Sequence, residues 1–383
     1  MGAEIKHFRA LAVVAVALLA SMGALLAWAI SPAQGAATLP AGFTESQVVS
    51  GLSNPMDMEF APDGRLFVAE QAGKVRIAKT NGRLATFLDI STKVDSTHER
   101  GLQALTFDPN FSTNQYVYLH YTSKATSTTP VHDRIVRVTA RGNKVVAGSE
   151  TLIFQLNNQN TDVHMGGGID FGKDGKLFIS TGDNSTPANS QQLTNLFGKM
   201  LRINKSGTIP TNNPFYATTS GKNRAIWALG LRNPFKFAVQ PGTGTIFIND
   251  VGGNIPEEAW EEINRGVAGA NYGWPVHEGV ANDPLYMDPI YAYGHGGTPT
   301  TTGCAITGGA FYNPTTRRFP IGYVGDYFFA DLCNGWIRRY DPASDTTTGF
   351  ATGLGFGVVD LEVSNAGELY YLSRGPGTVS KIG

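Results

Sequence analysis

The chain reads as an all-β protein, a six-bladed β-propeller of four-stranded antiparallel blades, and three observations predict it. A Gly, Asp or Asn turn followed by an alternating aromatic and β-branched strand recurs six times, as "PDGRLFVAE", "STNQYVYLHY", "KDGKLFISTGD", "GTGTIFINDVG", "YVGDYFFADL" and "NAGELYYLSR". The copies stand roughly forty to eighty residues apart, too far for a bare hairpin repeat and suited to a blade with variable loops. Glycine is abundant, at 46 of 383 residues, whereas helix-like periodicity is scarce, its best candidate being the short run "EEAWEEI". Recurring short strands and turns belong to all-β folds, and a jelly roll requires no sixfold repeat.

Ahead of the repeats, Lys6 and Arg9 precede an apolar run from Ala10 to Ile30, with small residues at Ala33, Gly35 and Ala36. This is the layout of an export signal. The run is also about long enough to span a bilayer. Residues 1–36 are therefore expected to be an export signal or an uncleaved N-terminal anchor, and residues 37–383 one propeller domain outside the cytoplasm, periplasmic or extracellular. The segment "FTESQVVSGL" is expected to lend a strand to the last blade and close the ring.

Charge narrows the partners. Lys and Arg number 30 and Asp and Glu 31, a net charge of −1 without long blocks of either sign, which argues against nucleic acid. Membrane contact arises only if the N-terminal segment stays uncleaved. The two cysteines, Cys304 and Cys333, fall in the exported part and read as one disulfide, since a zinc or thiol site would need further His or Cys at ligand spacing.

Propeller ligands sit near the central channel on loops from several blades, so site residues should be scattered and stand just before or after strands. "HERGLQALTFDPNF", "TDVHMGGGIDF", "STGDN", "LGLRNPFKFAV", "NDVGGN" and "EEINRGVAGANYGWP" obey this rule. Each allows a plain reading too. Gly166, Gly167 and Gly168 beside His164 mark close backbone packing, or clear room for a flat ligand next to an imidazole base. Glu99 is a solvated acid or a polar contact in the site; Arg232 ties neighbouring carbonyls or stabilises negative charge on a ligand.

Together these stretches resemble the soluble quinoprotein glucose/sorbosone dehydrogenases, also called aldose sugar dehydrogenases, which are six-bladed propellers using pyrroloquinoline quinone (PQQ) and calcium. The likeness runs from "GLSNPMDMEFAPDGRLFVAE" to "NAGELYYLSR" and is most specific in "LGLRNPFKFAV" and "ANYGWP". It implies oxidation of a free aldose to its lactone, with an external electron acceptor. His164 would be the base that takes the anomeric hydroxyl proton, Arg232 and Asn233 would lie beside the quinone, Glu99 would face cofactor or substrate, and Asn184 would face the sugar. The Gly252 and Gly253 carbonyls would hold the cofactor's calcium, and Glu262 with the Tyr272 main-chain oxygen a second, structural calcium.

The chain departs from this pattern at the cationic clamp for the quinone's carboxylates. Cys333 stands where the family has a lysine, and Gly357 and Val359 where it has arginines. Arg338, Arg374, Arg317 and Arg318 are the candidate substitutes. The alternative function is a non-catalytic, calcium-binding propeller that binds a carbohydrate or protein partner.

Overall fold

A computed structural model describes residues 37–296 and 300–383; the apolar N-terminal run lies outside the described residues. The described residues form six antiparallel sheets. Blade 1 is Pro55–Phe60, Leu66–Glu70, Lys74–Ala78 and Leu84–Asp89. Blade 2 is Leu102–Phe107, Tyr116–Ser123, His132–Arg141 and Thr151–Asn158, with the short Lys144–Val145 strand added to its third member. Blade 3 is Gly166–Phe171, Leu177–Thr181, Lys199–Ile203 and Ile226–Leu229, and blade 4 is Pro234–Val239, Ile246–Asp250, Trp260–Arg265 and Tyr291–Gly294. Blade 5 is Ile306–Phe311, Tyr327–Asp331, Ile337–Asp341 and Thr346–Ala351. Blade 6 takes Val358–Val363, Leu369–Ser373 and Thr378–Ile382 from the C-terminus and its outer strand, Glu45–Val49, from the N-terminal segment, as expected.

The first strands of successive blades touch in a closed ring around the axis. All six sequence repeats fall on second strands, and the physical reason is burial. Five of these strands are buried at every residue and the sixth at all but its first. A strand covered on both faces needs apolar side chains throughout, so it carries the strongest signal. "EEAWEEI" is not helical: Trp260–Arg265 is the third strand of blade 4. Its two acids disguise the strand pattern because both are buried and bonded on opposite faces, Glu261 to Ile306 N–H at 2.7 Å and Glu262 to Gly279 N–H at 2.6 Å.

The apolar core is divided among the blade interfaces. Phe67, Val75, Leu105 and Val117 join blades 1 and 2; Tyr118, Ile135, Leu177 and Ile179 join blades 2 and 3; the same pattern continues to Met58, Val68, Val359 and Leu372 between blades 1 and 6. A polar staple accompanies each interface near the axis. Asp57 accepts from Leu105 N–H at 2.8 Å, and the His120 ring lies 3.0 Å from Gly167 O. Ser180 donates to Pro234 O at 2.7 Å, Asn249 to Thr307 O at 2.6 Å and Thr307 to Val358 O at 2.7 Å, while Asp360 accepts from Met58 N–H at 2.7 Å.

Inside the channel, Asp57, Glu59, Asp170, Asp360 and Glu362 surround one ammonium, Lys236, which pairs with Asp57 and, at 3.4 Å, with Asp360. Burial raises Asp170 to about 6 and Asp360 to about 7, the latter against the pull of Lys236. Burial and mutual repulsion push Glu59 and Glu362 well above the usual carboxylate range. The disulfide Cys304–Cys333 forms in blade 5, with its Cα atoms 5.8 Å apart.

Two outcomes follow from this frame. Between roughly pH 4 and 7 the folded chain keeps protons on the channel acids that the unfolded chain releases, so their stabilising effect is complete below the unfolded pKa and fades as pH rises. The melting temperature should be higher at pH 5.5 than at pH 7, and Glu362→Gln should flatten that slope; identical slopes in both proteins would contradict the assignment. Reducing the disulfide, which closes a separation of 29 residues, should remove about 3–4 kcal/mol by the loop-entropy relation. Scanning calorimetry with and without reductant checks this, and two free thiols in denatured, unreduced protein would refute the bond.

Candidate active site

One face of the propeller carries the turns between first and second strands. The opposite face carries the connections that enter first strands and leave second strands, and the predicted site residues gather there. His164 immediately precedes the first strand of blade 3, Arg232 and Asn233 precede that of blade 4, and Glu99 precedes that of blade 2.

Three side chains hold His164. Its backbone has φ 56°, a left-handed conformation that costs a non-glycine residue energy and is maintained by the hydrogen bonds around it. The Glu99 carboxylate accepts the His164 N–H at 2.7 Å, so this acid does positioning work rather than lying free in solvent. On the ring, Nδ1 lies 2.8 Å from Asp183 Oδ1 and Nε2 lies 3.0 Å from Arg232 Nη2. A guanidinium only donates, so Nε2 is the acceptor and the ring proton sits on Nδ1, facing Asp183. The arrangement fixes the Nδ1–H tautomer and turns Nε2 toward Arg232.

Sequence reasoning misses Asp183 and Trp274, although "STGDN" and "ANYGWP" contain them. Asp183 is fully buried, and its second oxygen accepts the Trp274 indole N–H at 2.9 Å. The same indole lies under the Arg232 guanidinium, 5.5 Å from ring to carbon. Asp250 completes the frame by accepting the backbone N–H groups of Arg232 at 2.9 Å and Asn233 at 2.7 Å. Burial lifts Asp250 to about 7, opposed by those two donors.

The remaining predicted residues divide. The Asn233 carboxamide accepts Gly166 N–H at 2.8 Å, and the Asn184 side chain bonds Asn160 N–H and the Thr161 carbonyl and hydroxyl, so both organise the loops that flank His164. The glycines answer to packing. A Cβ on Gly166, at φ 69°, would stand 2.7 Å from Gly182 N, and one on Gly167, at φ 133°, would stand 3.0 Å from the Gln103 Cβ. Close backbone approach and a left-handed φ require glycine at 166, and the left-handed φ beside the Gln103 side chain favours it at 167.

Next to Arg232, the carboxylates of Asp250, Glu262 and Glu278 line one cavity with Gly252 and Tyr272. Burial raises all three acids, and Asp250 adds repulsion at Glu262, so the group would be relieved by a cation. The Gly253 N–H is bound by Glu278 and the Gly252 N–H by Glu261 at 3.3 Å. Among the described residues, no hydrogen bond reaches the carbonyl oxygens of Gly252, Gly253 or Tyr272. Hard oxygen donors of this kind and number suit calcium.

The clamp positions hold no charge. Cys333 is in the disulfide, Val359 is packed between blades 6 and 1, and Gly357 immediately precedes the first strand of blade 6. Of the four substitutes, Arg317 and Arg318 lie in the turn region between the first two strands of blade 5, on the far face, and Arg338 lies on a third strand beside the Tyr291 and Trp336 rings. Arg374, directly after the second strand of blade 6, shares the face of His164.

A six-bladed propeller that sets a half-buried histidine between a buried aspartate and an arginine defines a class. Residues 52–379 match the family model Glucose / Sorbosone dehydrogenase, and the chain belongs to that family. It is 28% identical over 230 residues to Aldose sugar dehydrogenase YliI of Escherichia coli, covering 59% of this chain and 60% of that protein. It is 32% identical over 232 residues to human Hedgehog-interacting protein, covering 54% and 33%. The chain thus spans less than two thirds of either relative. Among solved structures, an oxidoreductase (glucose dehydrogenase) from Thermus thermophilus superposes with a TM-score of 0.75 at 28% identity, over 89% of this chain and 100% of that one.

If a cation occupies the Glu262 cavity, excess chelator should lower the melting temperature and added calcium restore it by linkage, while Glu262→Gln should abolish the response. An unchanged melting curve in chelator, with no metal by elemental analysis, would remove the cation from this site.

Proposed function

We propose that the chain is an exported, PQQ- and calcium-dependent dehydrogenase that oxidises aldose sugars to lactones and hands the electrons to an external acceptor. The observation that carries this reading is the geometry of His164, with Nδ1 on Asp183 and Nε2 toward Arg232. The disulfide supports an oxidising compartment, and the family supports the substrate class.

PQQ, when bound, supplies the acceptor for the hydride that leaves the anomeric carbon. Everything else belongs to the chain. His164 Nε2 would take the anomeric hydroxyl proton as the carbonyl forms, once Arg232 gives up its hydrogen bond to that nitrogen in favour of a bound anion, and Asp183 would stabilise the charge then carried by the ring. Arg232, whose partners are His164 Nε2, Val251 O and Asn254 Oδ1, has only neutral acceptors and is available to a negatively charged group. The residues around Gly252, Glu262 and Tyr272 would hold calcium. Trp274 and Asp250 keep Asp183 and Arg232 in place.

A second reading, a propeller that binds a carbohydrate or protein and performs no chemistry, is favoured by the uncharged clamp positions Cys333, Gly357 and Val359. Reconstituting purified apoprotein with PQQ and calcium, then assaying dye reduction over several aldoses, separates the two. His164→Ala should preserve folding and cofactor binding while lowering turnover by roughly two to four orders of magnitude. Wild-type turnover in that variant would remove His164 as the base, and a wild type that binds no PQQ would favour the binding protein.

A further inference from the structure

Buried or half-buried arginines in this fold commonly pair with carboxylates: Arg202 with Asp174 at 2.6 Å, Arg100 with Asp95 at 3.1 Å, Arg76 with Glu70 at 3.4 Å. Arg374 does not follow them. Its guanidinium donates to the Asn54 carbonyl at 3.4 Å, the Met56 sulfur and the Gln71 carboxamide oxygen, all of them neutral. Burial with no opposing charge lowers it to about 10. A guanidinium that has lost much of its water and gained no anion is poised for one.

Its location is specific. The turn after the second strand of blade 6 corresponds to the turn that carries Asp183 and Asn184 in blade 3 and to the one that carries Val251 to Asn254 in blade 4. The Arg374 N–H bonds the Gly357 carbonyl at 2.7 Å, and a Cβ placed on Gly357 would stand 3.8 Å from the Arg374 Cβ. A side chain leaving position 374 therefore starts beside the place from which an arginine at 357 would start. The route onward to His164 is continuous. Gln71, which accepts from Arg374, donates to His98 O at 2.6 Å and Arg100 O at 2.7 Å, and these carbonyls flank Glu99, the residue that holds the His164 backbone.

We infer that Arg374 is the cationic anchor for a carboxylate of the bound ligand, replacing from the turn after the second strand of blade 6 the charge absent from position 357, just before the first. The inference rests on the PQQ reading above. It assigns to Arg374 a binding role beside Arg232, the guanidinium on the same face whose hydrogen-bond acceptors are likewise neutral.

The test is PQQ binding to apoprotein in calcium, followed by quenching of tryptophan fluorescence, with the trimethyl ester of PQQ as the uncharged counterpart. R374Q should weaken PQQ binding by about 10- to 100-fold, the usual worth of one charge-assisted hydrogen bond. It should leave binding of the ester within about threefold of wild type. Equal losses for acid and ester would show that Arg374 merely supports the fold, and no loss for either would also overturn the assignment, while PQQ binding by the wild type keeps the dehydrogenase reading standing in both cases. A wild type that binds no PQQ overturns both. Where R374Q fails to melt cooperatively, R374K takes its place: a lysine lacks the planar fork, so affinity for the acid should fall several-fold and that for the ester stay unchanged, and any other pattern counts against Arg374.

Discussion

Closure of the ring is the constraint on which the rest of this structure depends. Glu45–Val49 pairs with Thr378–Ile382, so the two ends of the propeller domain meet in one sheet. Each blade interface is then a slab of apolar side chains with a polar staple near the axis, and an interface missing from the ring would expose two such slabs at once. Residues from blades 2, 3 and 4 meet around His164, and blade 6 reaches the same face through Arg374. None of these positions has meaning in an open chain of blades. The long-range β pairing that sets them is reached only when the whole ring has formed.

Within that ring, buried carboxylates do two different jobs. Asp183 and Asp250 are surrounded by donors, an imidazole and an indole for the first and two backbone N–H groups for the second, and they fix a base and a cation in relation to each other. Asp57 and Asp360 in the channel share Lys236 and tie blade to blade. Polar groups removed from water must be bonded, and in both places the bonds run between elements far apart in sequence. The polar interior thereby specifies geometry while the apolar slabs supply most of the favourable free energy of burial.

Charge is distributed unevenly along the axis. Five acids stand around one lysine in the channel, whereas the His164 face offers Arg232 and Arg374 with neutral partners. The Glu262 cavity, beside Arg232, is again rich in carboxylate oxygen. An anionic ligand bridged to a divalent cation fits this alternation, because the guanidiniums meet the anion and the carboxylates meet the cation.

The sequence by itself determined the blade number, the strand donated by the N-terminal segment, the disulfide and the positions of His164, Arg232 and Glu99, because each leaves a local mark: a fully buried second strand, a lone pair of cysteines, a polar residue standing just before a strand. The tertiary structure alone decided what those residues touch. It made Asn184 and Asn233 organisers of loops, set Gly166 against backbone and Gly167 against the Gln103 side chain, turned "EEAWEEI" into a strand with two buried acids, brought Asp183 and Trp274 to His164 and Arg232, and put Arg374 on the same face. Hydrogen bonds between Trp274 and Asp183, 91 residues apart, or between Arg374 and Gln71, 303 apart, leave no periodicity and no spacing to read, since they exist only where the closed ring carries separate turns into contact.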